Sequence, residues 1–241
     1  MSTQDPADAP EAAPEKEWWE DESLPWNGKP TREDYWCLGW FAFVGVFGMA
    51  MIPLRAWLLG LDPPVMLALT GSRIGAASTG ALASVGEAAN WLFFLLIGSV
   101  MAIKFDWIYW WAGKLWGRGI LDVQASQSKR AARNIARVER WALKLGWLGI
   151  FLAYLPIPLP IAFVVFVLAG MTGMPLSKFM VMNFIAKTLW SFIYFGLGWE
   201  IGEPVVFVLN QYARVANWIA IALLVVIMFT AFRNQGKKRV A

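Results

Sequence analysis

The feature that most constrains this chain is a set of long apolar tracts that are nearly free of charge. Hydrophobic residues make up 58% and charged residues 16% of the 241 residues, against about 45–50% and about 25% in soluble domains. A helix of about 20 apolar residues crosses the ~30 Å hydrocarbon core of a bilayer. The sequence therefore predicts an integral membrane protein of the all-α class.

Four of these tracts fit complete membrane spans, at residues 36–59, 87–103, 176–198 and 204–232. Tryptophan and tyrosine settle at membrane–water boundaries. We therefore interpret the aromatic block 107–111 as an interface anchor that follows the second span. The membrane domain is predicted to cover residues 35–232, followed by a basic tail at 233–241.

Two further apolar segments are interrupted. Residues 63–85 contain Arg73, several glycines and small hydroxyl residues, and residues 147–171 contain Pro156, Pro158 and Pro160. Alternate prolines cannot continue an α-helix, because each lacks a donor and clashes with the preceding turn. Broken backbone is tolerated at membrane depth only where protein or water covers it. Both segments are predicted to be re-entrant hairpins.

The distribution of basic residues predicts the orientation. Residues 104–145 carry nine bases and three acids, and the C-terminus is also basic. The positive-inside rule places both regions in the cytoplasm, which works only if the proline-rich segment returns to the side it entered. The two hairpins then enter from opposite sides, as in inverted-repeat transporters, whose substrate site lies between the repeats.

Two charged regions lie outside the spans. Residues 1–34 carry ten acids and three bases, and so polar a segment is predicted to be a disordered cytoplasmic tail. Residues 129–145 place bases and apolar residues on opposite faces of one helix. This basic amphipathic helix is expected either to lie on an anionic leaflet or to serve as a solvated connector.

One stretch of the sequence resembles a known family. Residues 105–117 read F-D-W-I-Y-W-W-A-G-K-L-W-G, which is similar to the G-D-x-x-x-Y-x-x-G-[RK]-x-x-G motif of the DedA family of membrane proteins, with Phe105 in place of the first glycine. The proline-rich tract 155–170 resembles the family's second signature. Phe179 and Trp190 also fall where that family tends to place these residues. The resemblance covers about residues 50–200.

The resemblance implies two opposed re-entrant hairpins and a role in moving lipids between leaflets. The cargo that it implies in bacteria is polyprenyl phosphate or phospholipid, with proton coupling as an option. The chain departs from the family pattern in both hairpins. Arg73 lies about where members carry an acid, and residues 154–170 hold no charge although members carry arginine there. Acid-based proton coupling at these positions is therefore in doubt.

Four residues are candidates for binding the substrate: Arg73, Lys187, Asn183 and Glu87. Charges inside the membrane usually face a partner or a wet cavity, and a guanidinium suits phosphate. Arg73 could instead reach the interface, and Glu87 could pair with Arg73, accept a proton or stabilise a helix start. Lys187 lies mid-span, with Asn183 one turn before it on the same face.

A second group of residues is expected to be structural. Asp106 and Tyr109 belong to the motif and are predicted to attach the aromatic block to the bundle by hydrogen bonds. Pro156, Pro158, Pro160 and Gly170 are expected to shape the second hairpin. Gly113 and Gly117 form a G-x-x-x-G pattern, which serves either close packing inside the bundle or formation of a homo-oligomer.

The composition also excludes several kinds of site. The chain has no histidine and a single cysteine, Cys37, so we expect no catalytic residues, metal or cofactor, and we do not expect an enzyme. The expected partners are membrane lipids with anionic phosphate headgroups, not nucleic acid. The predicted function is a flippase- or scramblase-like lipid transporter in the bacterial inner membrane. The alternatives are an envelope-organising scaffold and an ion or small-solute transporter.

Overall fold

The computed structural model describes residues 28–156 and 159–238, together with Glu17, Trp19, Asp21 and residues 24–26; beyond position 230 only the backbone is described. Every secondary-structure element in these residues is helical, which confirms the all-α prediction. The helices are α1 Arg32–Leu61, α2 Pro63–Thr70, α3 Arg73–Ser84, α4 Trp91–Ile103, α5 Asp106–Trp116, α6 Arg118–Ser126, α7 Lys129–Leu145, α8 Gly149–Leu152, α9 Ile161–Met171, α10 Leu176–Ile201 and α11 Glu203–Lys238.

Four stretches are long and apolar enough to cross a membrane: Arg32–Leu61, Trp91–Trp116, Leu176–Ile201 and Glu203–Thr230. The prediction of four spans is therefore confirmed. Large apolar side chains on α1 and α11 are exposed, as lipid contact requires; Trp218, for example, is 73% exposed. The described chain is thus a polytopic helical membrane protein.

The second span extends further than predicted. It was expected to end at Ile103, but it continues through a short break at Lys104 and Phe105 into α5. The Lys104 ammonium lies over two aromatic rings, 4.6 Å from the centroid of Phe47 and 5.3 Å from that of Phe105. Such cation–π contacts stabilise a cation away from water. The aromatic block 107–111 therefore lies in α5, within this candidate span, and its role as an interface anchor stays a prediction.

The first interrupted segment folds as a helical hairpin. Asp62 accepts a hydrogen bond from the backbone N–H of Val65 and caps α2, and the Ser72 hydroxyl caps α3 through Gly75 N–H at 2.8 Å. Gly71 ends α2 with a φ of +59°, a conformation that glycine adopts without strain. The backbone of α3 then returns against α2, with Leu67 close to Gly75.

The second interrupted segment joins α8 to α9 through the proline-rich turn. Pro160 stands directly before α9, and Trp190 of α10 donates its indole N–H to the carbonyl oxygen of Phe151 at 2.9 Å. Pro158 lies outside the described residues. Both predicted interruptions are present. That each hairpin leaves the membrane on the side it entered stays a prediction.

Two helix crossings hold the halves of the domain together. At the crossing of α3 with α10, Gly80 faces the carbonyl oxygen of Phe195 and Gly198 faces that of Ala77. At the crossing of α5 with α9, Gly113 faces Val167 and Gly170 faces Trp110 in the same way. In each case the carbonyl oxygen belongs to the residue three positions before the crossing glycine of the opposite helix. This repeated, exchanged pattern is what two inverted repeats packing against each other would produce.

The region between the spans contains the predicted amphipathic helix. Helix α7 begins after Ser128, whose hydroxyl accepts from Ala131 N–H at 3.1 Å. Its apolar residues Ile135, Val138 and Ala142 are buried in the main core, whereas its bases are exposed. The two predicted faces are therefore present.

The predicted acidic tail lies mostly outside the described residues. The last residues of the tail were predicted to be disordered, but the structure describes them as ordered. Helix α1 already begins at Arg32, and Asp34 accepts hydrogen bonds from Thr31 and from the Trp116 indole. Trp26 also packs against Trp116, with ring centroids 6.4 Å apart. Helix α1 therefore begins three residues before the predicted boundary at residue 35, and the boundary of the membrane domain itself stays a prediction.

Replacing Gly198 by alanine should destabilise the bundle, because the added Cβ would collide with the carbonyl oxygen of Ala77. Overpacking of this kind costs about 1–3 kcal/mol, which lowers the melting temperature by about 2–4 °C per kcal/mol. The measurement is thermal unfolding of the purified protein in detergent.

The matched control is Gly196→Ala on the same helix, where a Cβ would meet nothing within 4 Å. Alanine is the better helix former by roughly 0.8–1.0 kcal/mol, so this variant should keep or raise the melting temperature. Equal melting temperatures for the two variants would contradict the backbone-to-backbone crossing.

Candidate functional site

A cavity of about 670 Å³ lies between α1, the α2–α3 hairpin, α10 and α11. Of the residues that the structure describes, three cations line it, namely Arg55, Arg73 and Lys187, and no acid does. The rest of its lining is apolar or neutral: Ala56, Leu59, Met66, Thr70, Gly71, Ser72, Ile74, Ala102, Tyr154 and Tyr212. We call it the cationic cavity. Its composition favours an anionic ligand with an apolar part.

The α2–α3 hairpin brings Arg73 to the cationic cavity. Arg73 is the first residue of α3, directly after the capping Ser72. Its guanidinium carbon lies 5.8 Å from the centroid of the Tyr194 ring on α10. The side chain is exposed, so its hydrogen-bond donors are accessible to a ligand. The break in the first interrupted segment thus serves to present this arginine.

Lys187 is buried in the middle of α10, with 5% of its surface exposed. Its ammonium lies 5.6 Å from the centroid of the Tyr154 ring. No acid stands within 4.0 Å of it among the residues that the structure describes. A buried cation without a close counter-ion is costly, and an anion entering the cationic cavity would relieve that cost.

Arg55 completes the set of cations from α1. It follows Pro53 within the apolar run of the helix, and its side chain is exposed. Tyr212 of α11 donates its hydroxyl proton to the carbonyl oxygen of Ala56 at 2.8 Å. This bond ties α11 to α1 at the wall of the cationic cavity, one residue after Arg55.

A polar network lies behind Lys187. The side-chain amide of Asn183 donates to a carboxylate oxygen of Asp106 at 2.7 Å. The Tyr154 hydroxyl stands 2.6 Å from the Asn183 amide oxygen and 3.2 Å from the same Asp106 oxygen, so it donates to one of them at a time. The network joins α5, α10 and the proline-rich turn. It therefore fixes Tyr154, whose ring supports Lys187.

The structure brings some of the candidate residues together and separates others. Arg73 and Lys187 share the cationic cavity, and Asn183 supports it through Tyr154. Glu87 does not join them. It lines a different cavity of about 450 Å³ together with Asp62, at the opposite end of α2 from Arg73.

The residues expected to be structural have separate positions. Gly113 and Gly170 form the α5–α9 crossing, which is packing inside the bundle. Gly117 ends α5 with a φ of +52°. Pro156 is exposed at the proline-rich turn. Tyr109 packs edge-on against Phe41 and Phe163.

Sequence reasoning missed two residues of the site. Arg55 was not among the candidates, although an arginine within an apolar run was a signal for a functional charge. Tyr154 carried no separate signal, because it reaches Asn183 and Lys187 only through the turn of the proline-rich segment.

A family model described as the VTT domain matches residues 76–200, just over half of the chain. The chain belongs to this family. The VTT domain is the domain of the DedA/SNARE-associated family, so the resemblance seen in the sequence is confirmed. Comparisons with curated proteins and with solved structures found no match.

The VTT domain covers most of α3 and continues through α10. It includes both glycine crossings, the polar network and Lys187. Arg55 and Arg73 lie outside the match, so two of the three cations come from the flanking segment. Counted along the family motif, the tyrosine position falls on Trp110, not on Tyr109, which corrects the sequence assignment. The Trp110 indole donates to the carbonyl oxygen of Met174 at 2.8 Å.

Replacing Asn183 by leucine should destabilise the VTT domain more than replacing Tyr154 by phenylalanine. The leucine leaves both Asp106 and the Tyr154 hydroxyl without their closest partner, and each buried polar group left unsatisfied costs about 1–3 kcal/mol. Tyr154→Phe removes one hydroxyl and leaves the Asn183–Asp106 bond in place. Thermal unfolding in detergent measures the loss of stability of both variants. The control is Asn210→Leu, at an exposed position on α11, which should change the melting temperature little.

Proposed function

We propose that this VTT-domain protein is a lipid transporter that moves a phosphate-bearing lipid between membrane leaflets. The cargo is a polyprenyl phosphate or a phospholipid. The observation that carries the proposal is the cationic cavity, whose lining in the described part of the chain contains three cations and no acid. A phosphate group would enter it, and the acyl or prenyl chain would stay in the surrounding lipid.

The charges of the cationic cavity support a phosphate ligand. A guanidinium offers donors in a fork that matches phosphate oxygens, and an ammonium acts as a point charge. Arg55, Arg73 and Lys187 come from three different helices and line one space. Arg55 and Arg73 repel the Lys187 ammonium electrostatically, whereas the Asp106 carboxylate attracts it. An anion between Arg55, Arg73 and Lys187 would offset this repulsion, so the three cations favour anion binding.

The apolar part of the cationic cavity supports a lipid over a free anion. Ile74, next to Arg73, is 62% exposed. Leu59 and Met66 lie on the same wall. A lipid headgroup between the cations would therefore have apolar side chains beside it, where its chain emerges. We propose no covalent step and no cofactor.

The proposed orientation places both termini in the cytoplasm of a bacterial cell whose inner membrane holds the protein. The basic region that includes α6 and α7 supports this, because basic segments stay on the cytoplasmic side. The two hairpins are then re-entrant and enter from opposite sides. The proposed partners are lipids with anionic phosphate headgroups.

Reconstitution into liposomes tests the proposed function. The protein should accelerate leaflet exchange of a fluorescent polyprenyl phosphate or phospholipid. The variants Arg73→Ala, Arg55→Ala and Lys187→Met should each slow the exchange by about tenfold or more, because hydrogen bonds to charged groups contribute about 1.5–3 kcal/mol and about 1.4 kcal/mol is tenfold. Lys178→Ala is the matched control, since Lys178 is exposed on α10 outside the cationic cavity and should leave exchange unchanged.

Other results of this experiment would contradict the proposal. No acceleration by the wild-type protein, where a known flippase is active, would exclude leaflet exchange. Flux of free inorganic phosphate without lipid exchange would indicate a small-solute transporter. A scaffold role would be indicated if removal of residues 1–23, which leaves Trp26 and the start of α1 in place, abolished function in cells and the three cation variants were silent.

A further inference from the structure

Helix α7 presents a row of cations toward the outside of the protein. Five exposed bases follow one another at spacings of three and four residues, which places them on one face of the helix: Arg130, Arg133, Arg137, Arg140 and Lys144. We call this surface the cationic face of α7. The ion pairs of the described residues, Arg118–Asp122 and Arg118–Glu139, do not include any of the five. Their charges are therefore open to a partner.

The opposite face of α7 is already occupied. Ile135, Val138 and Ala142 are buried in a core cluster with residues of α6 and α9. An amphipathic helix that lies in a membrane interface buries its apolar face in lipid. Here the protein itself covers that face, so α7 offers a partner mainly charge.

The acid on α7 is used within the fold. Glu139 accepts a short hydrogen bond from the guanidinium of Arg118 at the start of α6. Arg118 also lies 3.3 Å from Asp122. The acids of α6 and α7 are thus both paired with Arg118, and the exposed surface of α7 stays strongly positive. A complementary partner has to be acidic.

The N-terminal segment joins the domain next to this surface. Pro25 packs so closely on α6 that its carbonyl oxygen occupies the place of a Cβ on Gly119. Trp26 packs against Trp116 at the end of α5. Gly119 follows Arg118, which is bonded to Glu139 of α7. Residues 24–26 therefore lie beside α6, and α6 packs against α7.

Charge and length both fit this preceding segment to the cationic face of α7. Residues 1–23 contain eight acids and one base. At about 3.3–3.6 Å per extended residue they reach up to ~80 Å, whereas the 17 residues of α7 extend about 25 Å at 1.5 Å per residue. A tethered segment also acts at a high effective concentration, so individually weak ion pairs suffice.

We infer that the cationic face of α7 is the docking surface for the acidic segment 1–23 of the same chain. Docking neutralises the cationic face and keeps it from anionic lipid headgroups, which the same bases attract. The interaction is electrostatic, so added salt releases it. It requires no transport activity and does not rest on the proposed function.

A distance measurement on the full-length protein tests the inference. In a Cys37→Ser background, spin labels are placed at Thr3→Cys and Ala136→Cys, and the distance is measured by pulsed electron resonance in zwitterionic detergent. We expect a short distance at low ionic strength. The population of molecules with the short distance should disappear at about 1 M salt, where the screening length falls to about 3 Å. Neutralising Asp5, Asp8, Glu11 and Glu15 should abolish the short distance as well.

Charge reversal distinguishes docking from an effect on folding. The triple variant Arg133→Glu, Arg137→Glu, Arg140→Glu should lose the short distance and keep its melting temperature, since all three side chains are exposed. Changing Asp5, Asp8, Glu11 and Glu15 to lysine in that variant should restore the distance. The matched control reverses two exposed cations outside α7, Lys178→Glu and Arg214→Glu, and should leave the distance short.

Three results would overturn the inference. The first is a distance that responds neither to salt nor to the charges of α7. The second is a triple variant that the lysine-bearing segment fails to rescue. The third is binding of lipid to the cationic face of α7. In nanodiscs with phosphatidylglycerol, lipid would then protect the label at position 136 to the same extent with the native and with the neutralised segment. The label at position 3 would stay far from position 136 in both proteins.

Discussion

The four glycines at the helix crossings set the distance between the membrane helices, and the candidate site depends on that distance. Gly80 and Gly198 let the backbones of α3 and α10 touch, and Gly113 and Gly170 do the same for α5 and α9. Small residues allow this approach in a membrane, where lipid is as apolar as leucine and gives helices no hydrophobic reason to associate. Close packing therefore replaces the hydrophobic effect as the force that holds the two halves together.

This spacing explains how a charged site is tolerated inside an apolar bundle. With α3 held against α10, Arg73 at the start of α3 stands over the ring of Tyr194. With α5 held near α10, Asp106 reaches Asn183, and Asn183 reaches Tyr154. Each polar group of this network has a partner, which satisfies the demand that burial makes on polar atoms. Lys187 differs, because it is buried beside other cations. That imbalance makes the cationic cavity the part of the structure suited to a ligand.

The sequence predicted some residues of the candidate site and not others, and the difference has physical reasons. Arg73 and Lys187 were identified because a charge in an apolar run has few explanations other than function. Glu87 carried the same kind of signal, yet it lies at another cavity, since spacing along the chain does not show which helices become neighbours. Tyr154 could not be identified at all. A tyrosine in a proline-rich turn gains a role only when that turn brings its hydroxyl to Asn183.

The sequence by itself determined the fold class, the four spans and the two interruptions, because these depend on local properties: the length of apolar runs, the missing N–H of proline and the placement of charge. It also determined the family, through motifs that lie close together in the chain. Only the tertiary structure decided that Arg55, Arg73 and Lys187 line one cavity, and that α3 pairs with α10 while α5 pairs with α9. Those pairings depend on contacts between residues far apart in sequence, and a pattern along one helix contains no information about the helix that packs against it.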